Sequence, residues 1–465
     1  MNCRCDRRFI STLVSSPSRQ DKVAEKYLDR YATAEAGHLK GFPGRYQRAV
    51  VIPAFAEPTS FLRQLQTGPL AHPGTLTILV INAPANASRS MVATTRLLAD
   101  KLSTFGTPAW ASHNLDLRQT APGSGVLSVH RYKDHLRLPD KGGVGLARRI
   151  GCDCATRLIL DGFVRDSLIC NTDADAQLPE NYFDAGRRDA VAKVVGVVYP
   201  FVHRWPEDQS LALAAQLYEL SLHYYVLGLR WAGSPFAFHT VGSTIAIDAP
   251  AYARVRGFPK RSGGEDFYLL NKLAKIGTVR CLVEPSVTLQ ARPSARVPFG
   301  TGPAINRIAG FDQPLEQFRI YDPRCFAFIG DWTRQFERLF SDGEHVALDR
   351  ARERLSERVP AETVREWAEQ FDIDSALKHA FKQAGSREAF VRHMHVWFDA
   401  FRTLKTIHFL RDRCFPSQPV GEAIGDAPFL SGMTIAGPAA LPSAIAELRA
   451  QCWDMPRVLG VDADC

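Results

Sequence analysis

Ser167-Leu168-Ile169-Cys170-Asn171-Thr172-Asp173-Ala174-Asp175 is an apolar run that ends in two carboxylates, and Leu178-Pro179-Glu180-Asn181-Tyr182-Phe183 follows it. The run has the length and composition of a buried strand, and Pro179 suits the first turn of a helix. A strand that enters a helix through an acidic turn carries both aspartates at its carboxyl end, the edge where open α/β sheets bind ligands. Two other triplets of this form, Asp372-Ile373-Asp374 and Asp462-Ala463-Asp464, lack that context.

Outward from this segment the pattern repeats. Residues 49–55, 76–83, 126–131 and 193–199 join 167–172 as strand candidates, and helices at about 58–66, 89–104, 143–157 and 179–190 separate them. Alternation of this kind predicts βαβ units and a largely parallel sheet, with right-handed crossovers that bring the strand ends to one edge. A long helix over 207–229, a strand over 239–247 and a helix opening at Glu265-Asp266 follow. Phe267, Leu270 and Ala274 supply the buried stripe of that last helix, and Ser262-Gly263-Gly264 its flexible approach. The expected organisation is a polar N-terminal extension over 1–46 with one helix at 20–31, an α/β domain over 47–305, a helical region over 306–415 and a loop-rich tail over 416–465 with a short helix at 443–451. Within the helical region, 387–410 reads as one helix whose Phe390, Met394, Trp397, Phe401, Leu404 and His408 form a packing stripe. His393 and His395, two apart, point to different faces, which argues against joint metal binding.

At 465 residues the chain exceeds what one core usually supports. With 45% hydrophobic and 23% charged residues it is neither fibrous nor disordered, and no apolar run reaches the roughly 18 residues of a membrane span. The N-terminal stretch 9–14 is too short for a signal-peptide core, so a cytoplasmic location is expected, with peripheral membrane contact left open. Ten cysteines include the pairs Cys3/Cys5 and Cys152/Cys154, neither at zinc-site spacing, and are read as reduced thiols. The net charge of +8 suits an anionic substrate or acidic surface, but basic residues are dispersed and not interleaved with aromatics, so no nucleic acid is expected as partner.

Val50-Val51-Ile52-Pro53-Ala54-Phe55-Ala56-Glu57 reads as a strand running into a loop, with Pro53 ending the strand pairing and Glu57 at the same edge as Asp173 and Asp175. In order and spacing this motif, Asp173-Ala174-Asp175 and Glu265-Asp266 resemble those of the GT-A fold glycosyltransferases, most closely family 2, over roughly residues 48–290. The resemblance implies an α/β fold of Rossmann-like form, a mostly parallel central sheet with flanking helices, to which the helical C-terminal region is added. It implies that Pro53, Ala54 and Glu57 touch the nucleotide of a nucleotide-sugar donor. Asp175 would be the direct ligand of a Mn2+ or Mg2+ ion, and Asp173 would reach the metal or the ribose. The segment Lys141 to Arg149 is similar to the family's donor-side helix opening. There Gly143 lets backbone amides approach an anion, and Lys141 or Arg148 adds charge. Val241-Gly242-Ser243-Thr244-Ile245-Ala246-Ile247 and Gly257-Phe258-Pro259 resemble the strand and turn before the acidic pair.

Several positions depart from the family. Its second strand usually ends in an acidic residue that reads the base, where this chain has Asn82, and the Gln-x-x-Arg-Trp signature of processive synthases is missing. The expected activity is transfer of one sugar to a hydroxyl acceptor of unknown type, with inversion. A diphosphate leaving group gathers negative charge that a hard cation on carboxylate oxygens stabilises. A carboxylate in the first turn of a helix is held charged by the helix dipole, which makes Asp266 the candidate base and Glu265 the reserve. Arg292 and Arg296 are candidates to clamp phosphate or an acidic acceptor. Trp231, His239 and Phe236 are candidates for the acceptor wall, with core packing as the competing explanation. Two further readings stand beside this one. A sugar-phosphate nucleotidylyltransferase would need a Gly-rich first loop that Pro53-Ala54-Phe55-Ala56 lacks. A non-enzymatic nucleotide-sugar-binding protein on a GT-A fold would account for Asn82.

Overall fold

Every residue of the strand Thr75–Asn82 is buried, as expected of a strand covered on both faces. The computed structural model describes residues 19–186, 194–294, 296, 298, 300–430, 432–454 and 457–461. Cys3/Cys5, the triplet at 462–464, and Ala295, Val297 and Phe299 lie outside the described residues.

In chain order the strands are β1 (Arg48–Ala54), β2 (Thr75–Asn82), β3 (Thr107–Ser112), β4 (Leu115–Ala121), β5 (Ser124–Arg131), β6 (Leu168–Asn171), β7 (Val194–Val198), β8 (Phe201–Arg204), β9 (Ile245–Asp248), β10 (Thr278–Cys281) and β11 (Val287–Gln290). A ten-stranded sheet runs C-terminal strand Arg457–Leu459, β10, β7, β9, β6, β1, β2, β5, β4, β3. β6, β1, β2 and β5 are mutually parallel, as are β7 and β10, whereas β9 lies antiparallel between β6 and β7. The protein is therefore α/β with a large, mostly parallel mixed sheet, and about half of it is helical. A second, two-stranded parallel sheet joins β8 and β11. The hairpin of β3 and β4, absent from the sequence reading, extends one edge as far as Trp110. Pro53 does not end the pairing of β1: Pro53 and Ala54 remain in register with Val80 and Ile81 of β2. Pairing with β6 already stops at Val51, so the missing N–H of Pro53 costs no bond on that side.

The helices that matter for the site are α1 (Arg19–Arg30), α2 (Ala34–Gly37), α3 (Arg89–Ser103), α4 (Gly143–Leu160), α5 (Gln209–Trp231), α6 (Ala249–Arg254), α7 (Glu265–Leu273) and α8 (Thr301–Ala309). The expected helix at 58–66 is a 3-10 segment, Thr59–Leu65, and of the one expected at 179–190 the described residues form a 3-10 turn, Tyr182–Gly186, with 187–190 outside the described residues. The expected strand at 239–247 begins only at Ile245. α1 is no detached extension. Tyr27 donates to the buried Asp153 of α4 at 2.6 Å, Tyr252 of α6 donates to the same oxygen at 3.0 Å, and the Thr33 amide takes the other oxygen at 2.8 Å.

One further expectation is corrected beyond residue 306. The single helix over 387–410 is two, Arg387–Trp397 and Ala400–Arg413. Asp399 caps the second by accepting from the Arg402 amide at 3.0 Å, and its carboxylate also holds Asn271 at 3.1 Å and Lys275 of the α7 end. The break resets the helical phase. Phe390 and Met394 are buried as expected, but the second helix buries Thr403, Thr406, Ile407 and Leu410 while Phe401 is exposed. His395 packs on Phe336 and His393 on His379, so the two rings do diverge. The helix expected at 443–451 is Leu441–Cys452; it packs along α5 with Leu441, Ile445 and Leu448 buried, and the strand Arg457–Leu459 after it, unexpected from sequence, pairs with β10. Among the described residues no helix is long and apolar enough to cross a membrane.

Candidate active site

The carboxyl ends of β1, β2 and β6 and the amino ends of α4, α7 and α8 surround a cavity of about 490 Å³. Pro53, Glu57, Asn82, Gly143, Arg148, Asp173, Asp175, Glu265, Asp266, Arg292 and Arg296 all line it. Residues from six separate stretches of sequence thus meet in one place, because parallel strands deliver their ends to a common edge.

Two arginines organise the carboxylates. Arg148, on the first turns of α4, is 3% exposed; it donates from Nη2 to Asp173 Oδ1 at 2.7 Å and from Nε to Glu265 Oε1 at 3.0 Å. Gly242 lies flat on its guanidinium, since a Cβ there would come within 2.9 Å of Nη2. Arg292 donates from Nε to Asp175 Oδ2 at 2.9 Å and from Nη2 to Glu57 Oε2 at 3.1 Å. Arg296 donates to the Phe55 carbonyl at 2.9 Å and to Glu57, and its Nη2 stands 3.8 Å from Asp175. Glu57 is buried, and burial raises its carboxyl while Arg296 pulls it back.

Asp266 stands apart from these pairs. Its Oδ1 accepts from the Phe267 amide at 2.7 Å, and among the described residues no arginine forms a hydrogen bond or ion pair with it. Burial first, and then the neighbouring Glu265 charge, push its carboxyl up to about 7, despite the opposing pull of the amides of Phe267 and Gly242 and of Arg148. Burial raises the Glu265 carboxyl too, but there the paired Arg148 opposes the rise, whereas Asp266 has no such ion pair among the described residues.

The remaining candidates fall elsewhere. Ala54 is buried at the end of β1 and does not line the cavity, and Lys141 is exposed in the approach to α4. Trp231 is at the far end of α5, exposed and against Phe429, so it forms no wall of this cavity. Phe236 is a core residue. Asn82 donates to the Val80 carbonyl at 3.0 Å, so part of its amide is spent on its own strand end. The glycines of α4 answer to packing: a Cβ at Gly143 would lie 2.4 Å from Ser262 Cα, and the Gly145 amide already donates to Arg261 at 3.0 Å. They bring α4 against the loop before α7, and Gly143 and Val144 still line the cavity.

A group that the sequence reading missed lies behind the cavity. Glu219 of α5 is fully buried, bound by Trp205 Nε1 at 2.9 Å and Arg449 at 2.6 Å, with His203 Nδ1 at 3.4 Å and His223 Nε2 at 3.7 Å. Burial works against its charge, but the rings of His203 and His223 and the Arg449 guanidinium hold it well below the usual carboxylate range. The only sequence signal was a glutamate and a histidine four apart on an apolar helix. The chain matches no protein-family model and no curated protein.

Proposed function

We propose that the protein is a metal-dependent glycosyltransferase of GT-A type, which moves one sugar from a nucleotide-diphosphate sugar to a hydroxyl acceptor with inversion. The observation that carries this reading is the meeting of Glu57, Asp173, Asp175, Glu265 and Asp266 with Arg292 and Arg296 in one cavity at the carboxyl edge of the sheet. Asp266, with a carboxyl near neutrality, takes the proton of the acceptor hydroxyl as its oxygen attacks the anomeric carbon. The bond from that carbon to the diphosphate oxygen breaks, and the diphosphate leaves with the electron pair.

The donor set suits Mn2+ or Mg2+. Such ions need one or two carboxylates and take their other ligands from phosphate and water, and Asp173 and Asp175 each engage only one oxygen with an arginine. Asp175 and Asp173 would hold the ion, which would supply charge stabilisation to the departing diphosphate. Arg292 and Arg296 have planar forks suited to phosphate oxygens and occupy the same wall. Glu265 fixes Arg148, and Arg148 fixes Asp173, so the acidic turn after β6 and the start of α7 are held as one unit.

Calorimetry with UDP-, GDP-, dTDP- and CDP-sugars, with and without Mn2+, tests the reading in wild type and Asp175→Ala. Metal-dependent binding of one donor, lost in the variant, is expected. Absence of binding to every donor under both conditions would remove the transferase reading and leave the nucleotidylyltransferase and the non-enzymatic binding protein without support as well.

A further inference from the structure

We infer that His223, His239 and Cys452 form a second metal site, for a borderline-soft divalent cation of the zinc class, which pins the C-terminal helix to the wall of the candidate active site. The three residues are buried, and their possible ligand atoms lie within 4.8 Å of one another. His223 Nδ1 and His239 Nε2 are 3.1 Å apart. Ligand bonds of about 2.0 Å to nitrogen and 2.3 Å to sulfur at tetrahedral angles separate neighbouring donors by roughly 3.3–3.8 Å, so an ion requires only small side-chain adjustments. Two nitrogens and a thiolate select zinc-like ions over Mg2+ or Mn2+, which sets this site apart from the carboxylates at the sheet edge.

The surroundings are those of a ligand shell. With Nδ1 turned to His239, the other ring nitrogen of His223 faces Glu219 Oε1 at 3.7 Å, and this Nε2 is a buried atom without a hydrogen bond. A carboxylate behind a ligating histidine fixes its tautomer and raises its basicity. Cys452 is held from the outside: Arg230 donates to the carbonyls of Gln451 and Cys452 at 2.6 and 2.8 Å. The Trp453 ring stacks on His239 with centroids 4.9 Å apart. Water completes the coordination, and the Cys452 thiol gives its proton to solvent when the ion binds. Thr240, Val241, Gly242 and Ser243, directly after His239, line the cavity, so an ion here ties the last helix to the backbone that packs on Arg148.

The test is Co2+ titration of the tag-free full chain after chelator treatment, followed by absorption. About one equivalent should bind with tetrahedral ligand-field bands and a thiolate-to-cobalt charge-transfer band, and Zn2+ should displace it. The band should persist in Asp175→Ala and vanish in Cys452→Ser, with circular dichroism checking that the variant is folded. Should Cys452→Ser fail to fold, loss of the band in His239→Gln decides in its place. Absence of a thiolate band in wild type at excess Co2+, or its survival in a folded Cys452→Ser or His239→Gln chain, overturns the assignment.

Discussion

Replacing Asp266 by Asn tests the electrostatics of the site without any substrate. Raising a carboxyl from its ordinary value near 3.8 to about 7 withdraws about 4 kcal/mol of native stability once the group is ionised, at about 1.4 kcal/mol per pH unit. The side chain opens on the cavity, where solvent screens part of that cost, so a gain of about 2 kcal/mol is expected for Asp266→Asn at neutral pH and above. The sign follows from proton counting. Between about pH 4 and pH 7 the native protein holds a proton that the unfolded chain has released, so native stability falls as pH rises across that window. The variant lacks this group and should match wild type near pH 4, diverge from it upward to about pH 7, and run parallel beyond. Urea unfolding followed by tryptophan fluorescence at a series of pH values measures it. An advantage that is absent, or constant across the window, would refute the assignment of a raised carboxyl to Asp266. If the carboxyl is the base, transferase activity should fall tenfold per pH unit below about 7, and Asp266→Asn should lose about 10²–10⁴-fold.

Arg148→Met leaves Asp173 and the buried Glu265 without their shared cation and should cost about 3–5 kcal/mol in urea unfolding, a loss under about 1 kcal/mol being incompatible with the pairing described. Gly145→Ala puts a Cβ within 2.6 Å of the Arg261 carbonyl and 2.7 Å of the Pro259 carbonyl. It should destabilise by about 1–3 kcal/mol and weaken donor binding by moving the start of α7, as melting curves and calorimetry would record. Truncation before Leu441 removes the helix that covers α5 and the strand that closes the β10 edge. The shortened chain should lose its cooperative thermal transition and bind a hydrophobic dye, whereas a normal transition would show the segment to be dispensable.

Much of the site was legible because each part carries a local signal. The apolar run before Asp173 must be a covered strand, and carboxylates directly after such a strand lie at its carboxyl end wherever the strand sits in the sheet. The same logic brought Glu57 to the same edge, while the acidic pair of α7 was read from its place in the first turn of a helix. Arg148 was named from its place in a glycine-rich helix start, but its partners were not, since the residues it bridges, Asp173 and Glu265, are 25 and 117 positions away. Trp231 was misplaced because an aromatic close in sequence to the acidic pair sits at the far end of a 23-residue helix.

By itself the sequence determined the covered strands β1, β2, β5, β6 and β7 and the acidic turn after β6, because burial on both faces is a property of short stretches, whereas the short or half-exposed strands β3, β4, β8, β10 and β11 carry no such local signal. Tertiary structure alone decided three things: that β9 runs antiparallel between β6 and β7, that Arg457–Leu459 adds a strand beside β10, and that His223, His239 and Cys452 cluster in the interior. Each depends on pairing between distant segments. Such pairing is settled by the total burial and hydrogen bonding of the folded chain, to which no local window of sequence has access.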